Sequence, residues 1–268
     1  MPKFRCLGSF LSITACFRLG DAAQVDFGNG PQIIDVHTGE VFKTWVFVMV
    51  LAWSRHQYAE LVRDQSIETW LGCHRRSFEH FNGVPSKVII DNPKCAITKA
   101  CYRDPQVQRS YADYAEGYGF LISPCPVADP QKKGRVESGV KYVKNNFMPL
   151  REFRDLPDAN EQLMNWVMQD AGNRIHGTTR TPPLKRFAET EQAMLKPLPN
   201  SVPECARSVT AKLHGDCHVQ VEKSRYSAPW RLVGQTLDVR NTETTVRISH
   251  QHKHKALHPR LTHDGQRH

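Results

Sequence analysis

Gln24-Val25-Asp26-Phe27-Gly28 is the stretch of the chain from which the fold can be worked out. Its polar and apolar side chains alternate, which predicts a β-strand with Val25 and Phe27 on one face and Asp26 on the other. Gly28-Asn29-Gly30-Pro31 is expected to break this strand. Two further strands, at 32–37 and 41–52, complete an antiparallel meander.

Beyond the meander, helices and strands alternate. Apolar residues recur at helical spacing after Ser66, and Asp104-Pro105 is a typical N-terminus for a second helix. The runs 88–90 and 120–122 are short and apolar, as in buried strands. The order β-β-β-α-β-α-β predicts an α/β fold, a mixed five-stranded sheet with flanking helices.

A basic loop at 131–135 precedes a third helix. At about 100° per residue, one stripe of its side chains forms the buried face, namely Val136, Val140, Val143 and Phe147. A second stripe, turned by about 100°, borders the core without entering it, and consists of Glu137, Lys141 and Lys144.

The C-terminal part of the chain has a different sequence pattern. Short strands separated by turn residues predict a small antiparallel β-barrel, and His250, His252, His254 and His258 are interpreted as a polar tail rather than a metal-binding tract. The expected division is a leader (1–22), an α/β core (23–150), a helical extension and linker (151–200), the barrel (201–255) and the tail (256–268).

Composition limits the function. The chain has 268 residues and a formal net charge of +9, which favours a polyanionic partner such as nucleic acid, although many basic proteins have none. The longest apolar run, 45–53, is about half of a membrane span. Eight cysteines without a Cys-x-x-Cys pair indicate reduced, structural thiols rather than zinc, and a cytoplasmic protein.

Asp26, Asp91 and Glu137 are the candidate catalytic residues. Asp91 ends a core strand at the rim of the sheet, where ligands bind, and three convergent carboxylates suit divalent cations such as Mg²⁺. The alternative is three unrelated surface acids. Asp35 is interpreted as a strand-end residue in solvent, and His74 as a core histidine.

Three motifs containing these acids resemble the Asp-Asp-Glu motifs of retroviral-integrase-like transposases, namely 24–28, 90–94 and 133–137. More narrowly, three further stretches are similar to the IstA transposase of the insertion-sequence 21 family: 133–153, 176–187 and 226–229. The resemblance covers roughly residues 23 to 260.

The resemblance implies an RNase H-like core in which Asp26, Asp91 and Glu137 bind two Mg²⁺ (or Mn²⁺) ions and cut and join DNA. Four cations would then contact DNA, namely Lys133, Arg135, Lys141 and Lys144. Solvated lysines that pair with Glu137 are the alternative for the last two. The implied partners are element-end and target DNA, further subunits of a multimer, and an IstB-type ATPase helper.

The family carries an N-terminal helix-turn-helix region with no counterpart here, which leads us to expect a truncated copy with a foreign leader. Ser138 also stands where the family has a basic residue. Two alternatives therefore stay open: a non-catalytic, DNA-binding transposase remnant with the same fold, and a nuclease acting on RNA–DNA hybrids.

Overall fold

The computed structural model describes residues 19–91, 93, 95–99, 106–124, 139–149, 151–201, 203, 207–242 and 244–261. The strands are β1 (Ala22–Ile34), β2 (Val41–Leu51), β3 (Gln57–Val62), β4 (Lys87–Ile90), β5 (Ile97–Lys99), β6 (Gln106–Val107), β7 (Leu121–Pro124), β8 (Arg207–Lys212), β9 (His218–Val221), β10 (Ser224–Ser227), β11 (Thr236–Asn241), β12 (Thr245–His250) and β13 (Lys253–Pro259). The helices are α1 (Ile67–Phe81), α2 (Arg109–Tyr118), α3 (139–146), α4 (Leu156–Trp166) and α5 (Pro183–Arg186), with one-turn helical segments at Val167–Ala171, Phe187–Glu191, Gln192–Met194 and Trp230–Leu232.

The largest sheet has five strands in the order β3-β2-β1-β4-β7. The β1–β2 and β2–β3 pairs are antiparallel, whereas β1–β4 and β4–β7 are parallel. The prediction of a mixed five-stranded sheet with flanking helices is therefore confirmed.

The predicted break in the first strand is wrong. β1 is one strand of 13 residues that runs through Gly28-Asn29-Gly30-Pro31, with a shift in its register against β2 between Asn29 and Gln32. The irregularity accommodates Pro31, which has no N–H for the ladder. Thr44 Oγ1 donates a hydrogen bond to the Pro31 carbonyl at 2.6 Å, which ties the irregular segment to β2.

The third antiparallel strand is β3, which the sequence pattern did not indicate. Its residues are buried on both faces of the sheet, so Gln57, Tyr58, Ala59, Leu61 and Val62 are all covered. A strand covered on both sides shows no polar–apolar alternation, which is why the pattern missed it.

Each face of the sheet carries its own core. One face packs against α1 and α2, with Phe47, Trp70, Phe78 and Tyr111 almost fully buried. The opposite face packs against α3 and α4. Its buried residues include Val46, Val48, Ala59, Leu61, Val140, Val143, Phe147, Leu163 and Trp166.

The two long core helices begin and end at identifiable caps. Ser66 Oγ accepts the Thr69 N–H at 3.2 Å, as predicted, and Asn82 takes the left-handed conformation after the last turn of α1. α2 begins at Arg109, with Gln108 as its N-cap. Asp104-Pro105, expected to start that helix, lies outside the described residues.

The C-terminal strands form two sheets instead of one barrel. β13-β12-β11-β8 is a four-stranded sheet and β9-β10 is a hairpin, and neither is closed within the described residues. β13 reaches Pro259 and includes His254 and His258, which the sequence pattern assigned to the tail region. Its Lys-His-Lys-Ala-Leu-His sequence has too few apolar residues to indicate a strand.

Within the described ranges, no helix is both long enough and apolar enough to cross a membrane. The described cysteines Cys73, Cys95 and Cys217 carry free thiols.

His74 is a core histidine, as predicted. Its side chain is fully buried, with Nδ1 2.8 Å from the Trp70 carbonyl and Nε2 3.1 Å from the Tyr111 hydroxyl. Burial lowers its pKa from 6.5 to about 4.

Replacing His74 with Gln should flatten the pH dependence of stability. Between pH 6 and 4.5 the unfolded chain binds a proton at His74 that the folded chain does not, so the free energy of unfolding falls as the pH falls. His74→Gln removes a slope of about 1.4 kcal/mol per pH unit. Urea denaturation across this range measures it, and the exposed His254→Gln should leave the slope unchanged. An equal slope in wild type and His74→Gln would contradict the assignment.

Candidate active site

Asp26 lies in the central strand β1 and belongs to the sheet face opposite α1. Its neighbour Val25 is 1% exposed in the core formed with α1, so alternation puts Asp26 on the α3 face. The Asp26 side chain is half-buried, and its Oδ1 accepts the N–H of Phe27 at 2.8 Å.

Asp91 is brought next to Asp26 by the parallel pairing of β1 with β4. The paired residues run from Ala22↔Lys87 to Val25↔Ile90, so the next residue on each chain is an aspartate. Neighbouring strands lie about 4.8 Å apart. Ile89 packs with Ala22 on the α3 side of the sheet. Because successive side chains alternate between the two faces, Asp91, two residues after Ile89, belongs to the same face as Ile89.

Two glycines, which have no side chain, allow α3 to pack closely on this face of the sheet. A carbon added at Gly28 would lie 2.4 Å from Cγ1 of Val140, and one added at Gly139 would lie 2.9 Å from Cγ2 of Val50 and 3.4 Å from Cγ1 of Val48. Val48 is the cross-strand partner of Asp26. The first described turn of α3 therefore packs directly beside the first aspartate. Sequence reasoning missed this role, although a glycine inside a strand signals close backbone approach.

Of the remaining predicted site residues, three lie outside the described part of the chain and two lie within it. Glu137, Lys133 and Arg135 lie outside the described residues. Lys141 and Lys144 are exposed on α3, while Val140 and Val143 on the same helix, and Phe147 directly after it, are buried.

Asp35 does not join the two aspartates. Its Oδ1 accepts the backbone N–H groups of His37 at 2.9 Å and Thr38 at 3.1 Å, which closes the turn after β1. The same two hydrogen bonds lower its pKa below the usual value. Its interpretation as a strand-end residue is confirmed.

Two adjacent carboxylates provide the oxygen donors that Mg²⁺ and Mn²⁺ prefer. In the part of the chain that the structure describes, no group of three or more His, Cys, Asp or Glu residues is arranged to hold a metal ion. The pair Asp26 and Asp91 therefore fits part of a cation site, and a third ligand has to come from elsewhere.

Several known proteins are similar to this chain. Residues 198–268 match the family model of the Mu transposase C-terminal domain. A protein of Mycobacterium tuberculosis named as a transposase is 36% identical over 230 residues, covering 85% of this chain and 56% of that protein. The transposase for insertion sequence element IS21 of Pseudomonas aeruginosa is 30% identical over 222 residues, covering 82% of this chain and 57% of the relative. The chain thus spans about half the length of these relatives.

Among solved structures, the magnesium complex of the HTLV-2 integrase catalytic core (trimeric form) is similar, with 10% identity and a TM-score of 0.44, covering 63% of this chain and 97% of that one. A chain of the simian T-cell lymphotropic virus intasome in complex with PP2A regulatory subunit B56 gamma gives 12% identity and a TM-score of 0.46, covering 90% of this chain and 76% of that one.

Gly28→Ala should destabilise the protein by about 1–3 kcal/mol, because the added methyl group overlaps Val140 and forces α3 away from the sheet. Gly215→Ala is the matched control, since nothing lies within 4 Å of its added carbon. Its effect should stay within about 0.5 kcal/mol. Chemical denaturation measures both, and equal stabilities of the two variants would show that α3 does not pack closely on Gly28.

Proposed function

Because this chain belongs, with its homologues, to the IS21 family of transposases, we propose that it cleaves and joins DNA strands at a site made of Asp26, Asp91 and Glu137. The observation that supports the proposal is the register of β1 and β4, in which the residues that follow the last pair, Val25 and Ile90, are both aspartates. Such a pair, held on rigid strands, is suited to binding cations for phosphoryl transfer.

Glu137 is within reach of this pair along the chain. Only one residue separates it from Gly139, and two residue steps span at most about 7 Å. Gly139 packs against Val48, the strand partner of Asp26. These relations support Glu137 as the third ligand.

The three carboxylates would hold two Mg²⁺ or Mn²⁺ ions, which neutralise charge on the reacting phosphate and lower the pKa of bound water. The contribution of the protein is to hold Asp26 within a strand, and Asp91 directly after one, in a sheet that is packed on both faces. Fixed ligands need little reorganisation during the reaction, and this preorganisation is the source of electrostatic catalysis.

The reaction takes place in two steps at the same residues. Water attacks a phosphorus atom at the element end, the bond to the 3′ oxygen breaks, and a 3′-hydroxyl is released. That hydroxyl then attacks a phosphorus atom of target DNA, forming a new bond while a target 3′ oxygen leaves. Neither step needs a covalent bond to the protein.

Basic side chains exposed on α3, together with two basic residues that precede it, would hold the DNA. Lys141 and Lys144 lie on the exposed side of α3, and Lys133 and Arg135 precede that helix in the sequence. Phosphate contacts of this kind fix the register of DNA without reading its sequence.

For the rest of the chain we propose an RNase H-like core at 23–150, a helical extension and linker at 151–200, and a C-terminal β region that helps to hold DNA. The protein would act as a multimer in the bacterial cytoplasm, where its DNA substrates lie, together with an IstB-type ATPase.

Asp91→Asn and Asp26→Asn should each reduce strand transfer by about 10²-fold or more, because each removes a charged ligand from the site. The assay incubates the full chain and Mg²⁺ with pre-cut element-end DNA and a plasmid target, and joined products are counted. Asp35→Asn is the matched control, since it removes an equivalent acid outside the site.

Other results of this assay would support one of the two alternative functions or contradict the proposed site. DNA binding without joined products from the wild-type chain would support the transposase remnant, and cleavage of the RNA strand of a hybrid would support the nuclease. Full activity in Asp91→Asn would overturn the proposed site.

A further inference from the structure

Four basic side chains come together from three segments outside the aspartate pair. Arg55 lies in the β2–β3 turn, Arg174 and His176 in the loop after residues 167–171, and Arg186 at the end of α5. Hydrogen bonds from backbone N–H groups join these segments. Ser54 N–H donates to Glu191 Oε2 at 3.1 Å, and Leu184 N–H to the Gly172 carbonyl at 2.9 Å.

Two of the guanidinium groups lie over aromatic rings. Arg186 Cζ lies 3.7 Å from the ring centroid of Trp53, and Arg174 Cζ lies 3.6 Å from that of Tyr142. Stacking of this kind fixes the plane of the group through its face and leaves the N–H edges to bind an anion.

Within the described residues, neither Arg174 nor Arg186 has a carboxylate at ion-pair distance, although Asp170 lies near Tyr142, the ring beneath Arg174. Both arginine side chains are half-buried. Glu191, whose side chain reaches the β2–β3 turn, already accepts the Ser54 N–H, and burial raises its pKa. Half-buried cations without a partner are costly unless an anion binds them.

His176 adds a neutral donor to this cluster. The Thr178 N–H donates to its Nδ1 at 3.2 Å, which leaves the ring proton on Nε2. Desolvation, followed by the charges of Arg174, Arg55 and Arg186, lowers its pKa to about 4. At neutral pH the ring therefore offers one N–H beside three guanidinium groups.

We propose that Arg55, Arg174, His176 and Arg186 form a second DNA site that binds a backbone phosphate near the catalytic face. Guanidinium groups match phosphate oxygens in pairs, and a phosphodiester would bring one negative charge to this half-buried cluster. This inference rests on the proposed function, because it takes DNA as the source of the phosphate.

The position of the cluster fits a strand of DNA that continues from the aspartates. Arg55 N–H bonds to the Leu51 carbonyl, and Leu51 pairs with Ala23, three residues before Asp26 in β1. Three residues of strand span about 10 Å, which corresponds to about three nucleotides along a duplex. Arg174 lies over Tyr142 of α3, on the same side of the sheet as the aspartates. Leu184 and Phe187, which flank Arg186 in the sequence, pack with the α1-side core, so the cluster lies at the edge of the sheet between its two faces.

Arg174→Gln and Arg186→Gln should weaken DNA binding by the full chain and reduce its salt dependence. Each lost phosphate contact lowers the slope of log K against log salt by about 0.9 for duplex DNA, equally for element-end and unrelated sequences. Fluorescence anisotropy over a series of salt concentrations measures both. Arg63→Gln is the control, because Arg63 also stacks on a ring, 3.8 Å from Phe42, but is paired with Glu40 at 3.1 Å.

A second measurement uses the wild-type chain. Inorganic phosphate should raise the pKa of His176 in an NMR titration, because a bound anion offsets the three guanidinium charges. An unchanged His176 pKa at saturating phosphate, or slopes for Arg174→Gln and Arg186→Gln equal to that of Arg63→Gln, would overturn the second site.

Failure of this site and failure of the proposed function can be told apart. If the arginine variants bind DNA like the control while Asp91→Asn still loses strand transfer, only the second site is wrong. If the wild-type chain joins no DNA but the arginine variants flatten the salt dependence, the second site stands and the catalytic proposal fails.

Discussion

Parallel pairing of β1 with β4 is the constraint on which the candidate site depends. Asp26 and Asp91 are separated by 64 residues in the sequence, and only the register ending at Val25↔Ile90 sets them side by side. A shift by one residue would move one aspartate to the opposite face, against α1. Cores on both faces hold the register, because the apolar residues of β1 and β4 are buried there.

This arrangement has an electrostatic cost. Two ionised carboxylates on neighbouring strands repel each other unless a cation lies between them. Packing on both faces offsets the cost, since α1 and α2 cover one side and α3 and α4 the other. A divalent cation bound between the carboxylates would attract both of them and remove their mutual repulsion. This is the physical reason for proposing that DNA strand cleavage and joining take place at this pair.

Much of the fold follows from local patterns, and the exceptions have physical causes. α1 was predicted from its helical spacing and its Ser66 cap, and β4 from an apolar run. β3 shows no alternation because both its faces are covered, and β1 continues through Gly28–Pro31 because the glycines and a bulge accommodate the proline. The aspartates were recognisable as candidates from sequence, but their adjacency is a property of strand register, which a local pattern does not encode. The cluster around His176 was visible only as a short motif, because its arginines come from separate segments.

Paramagnetic broadening by Mn²⁺ tests the central claim most directly. In an NMR spectrum of the full chain, substoichiometric Mn²⁺ should broaden the amide signals of Phe27, Asp91 and Gly139 together, and Glu137→Gln should weaken all three effects in parallel. Broadening confined to one of these segments, or centred on acidic residues elsewhere, would show that the three carboxylates do not share one cation site.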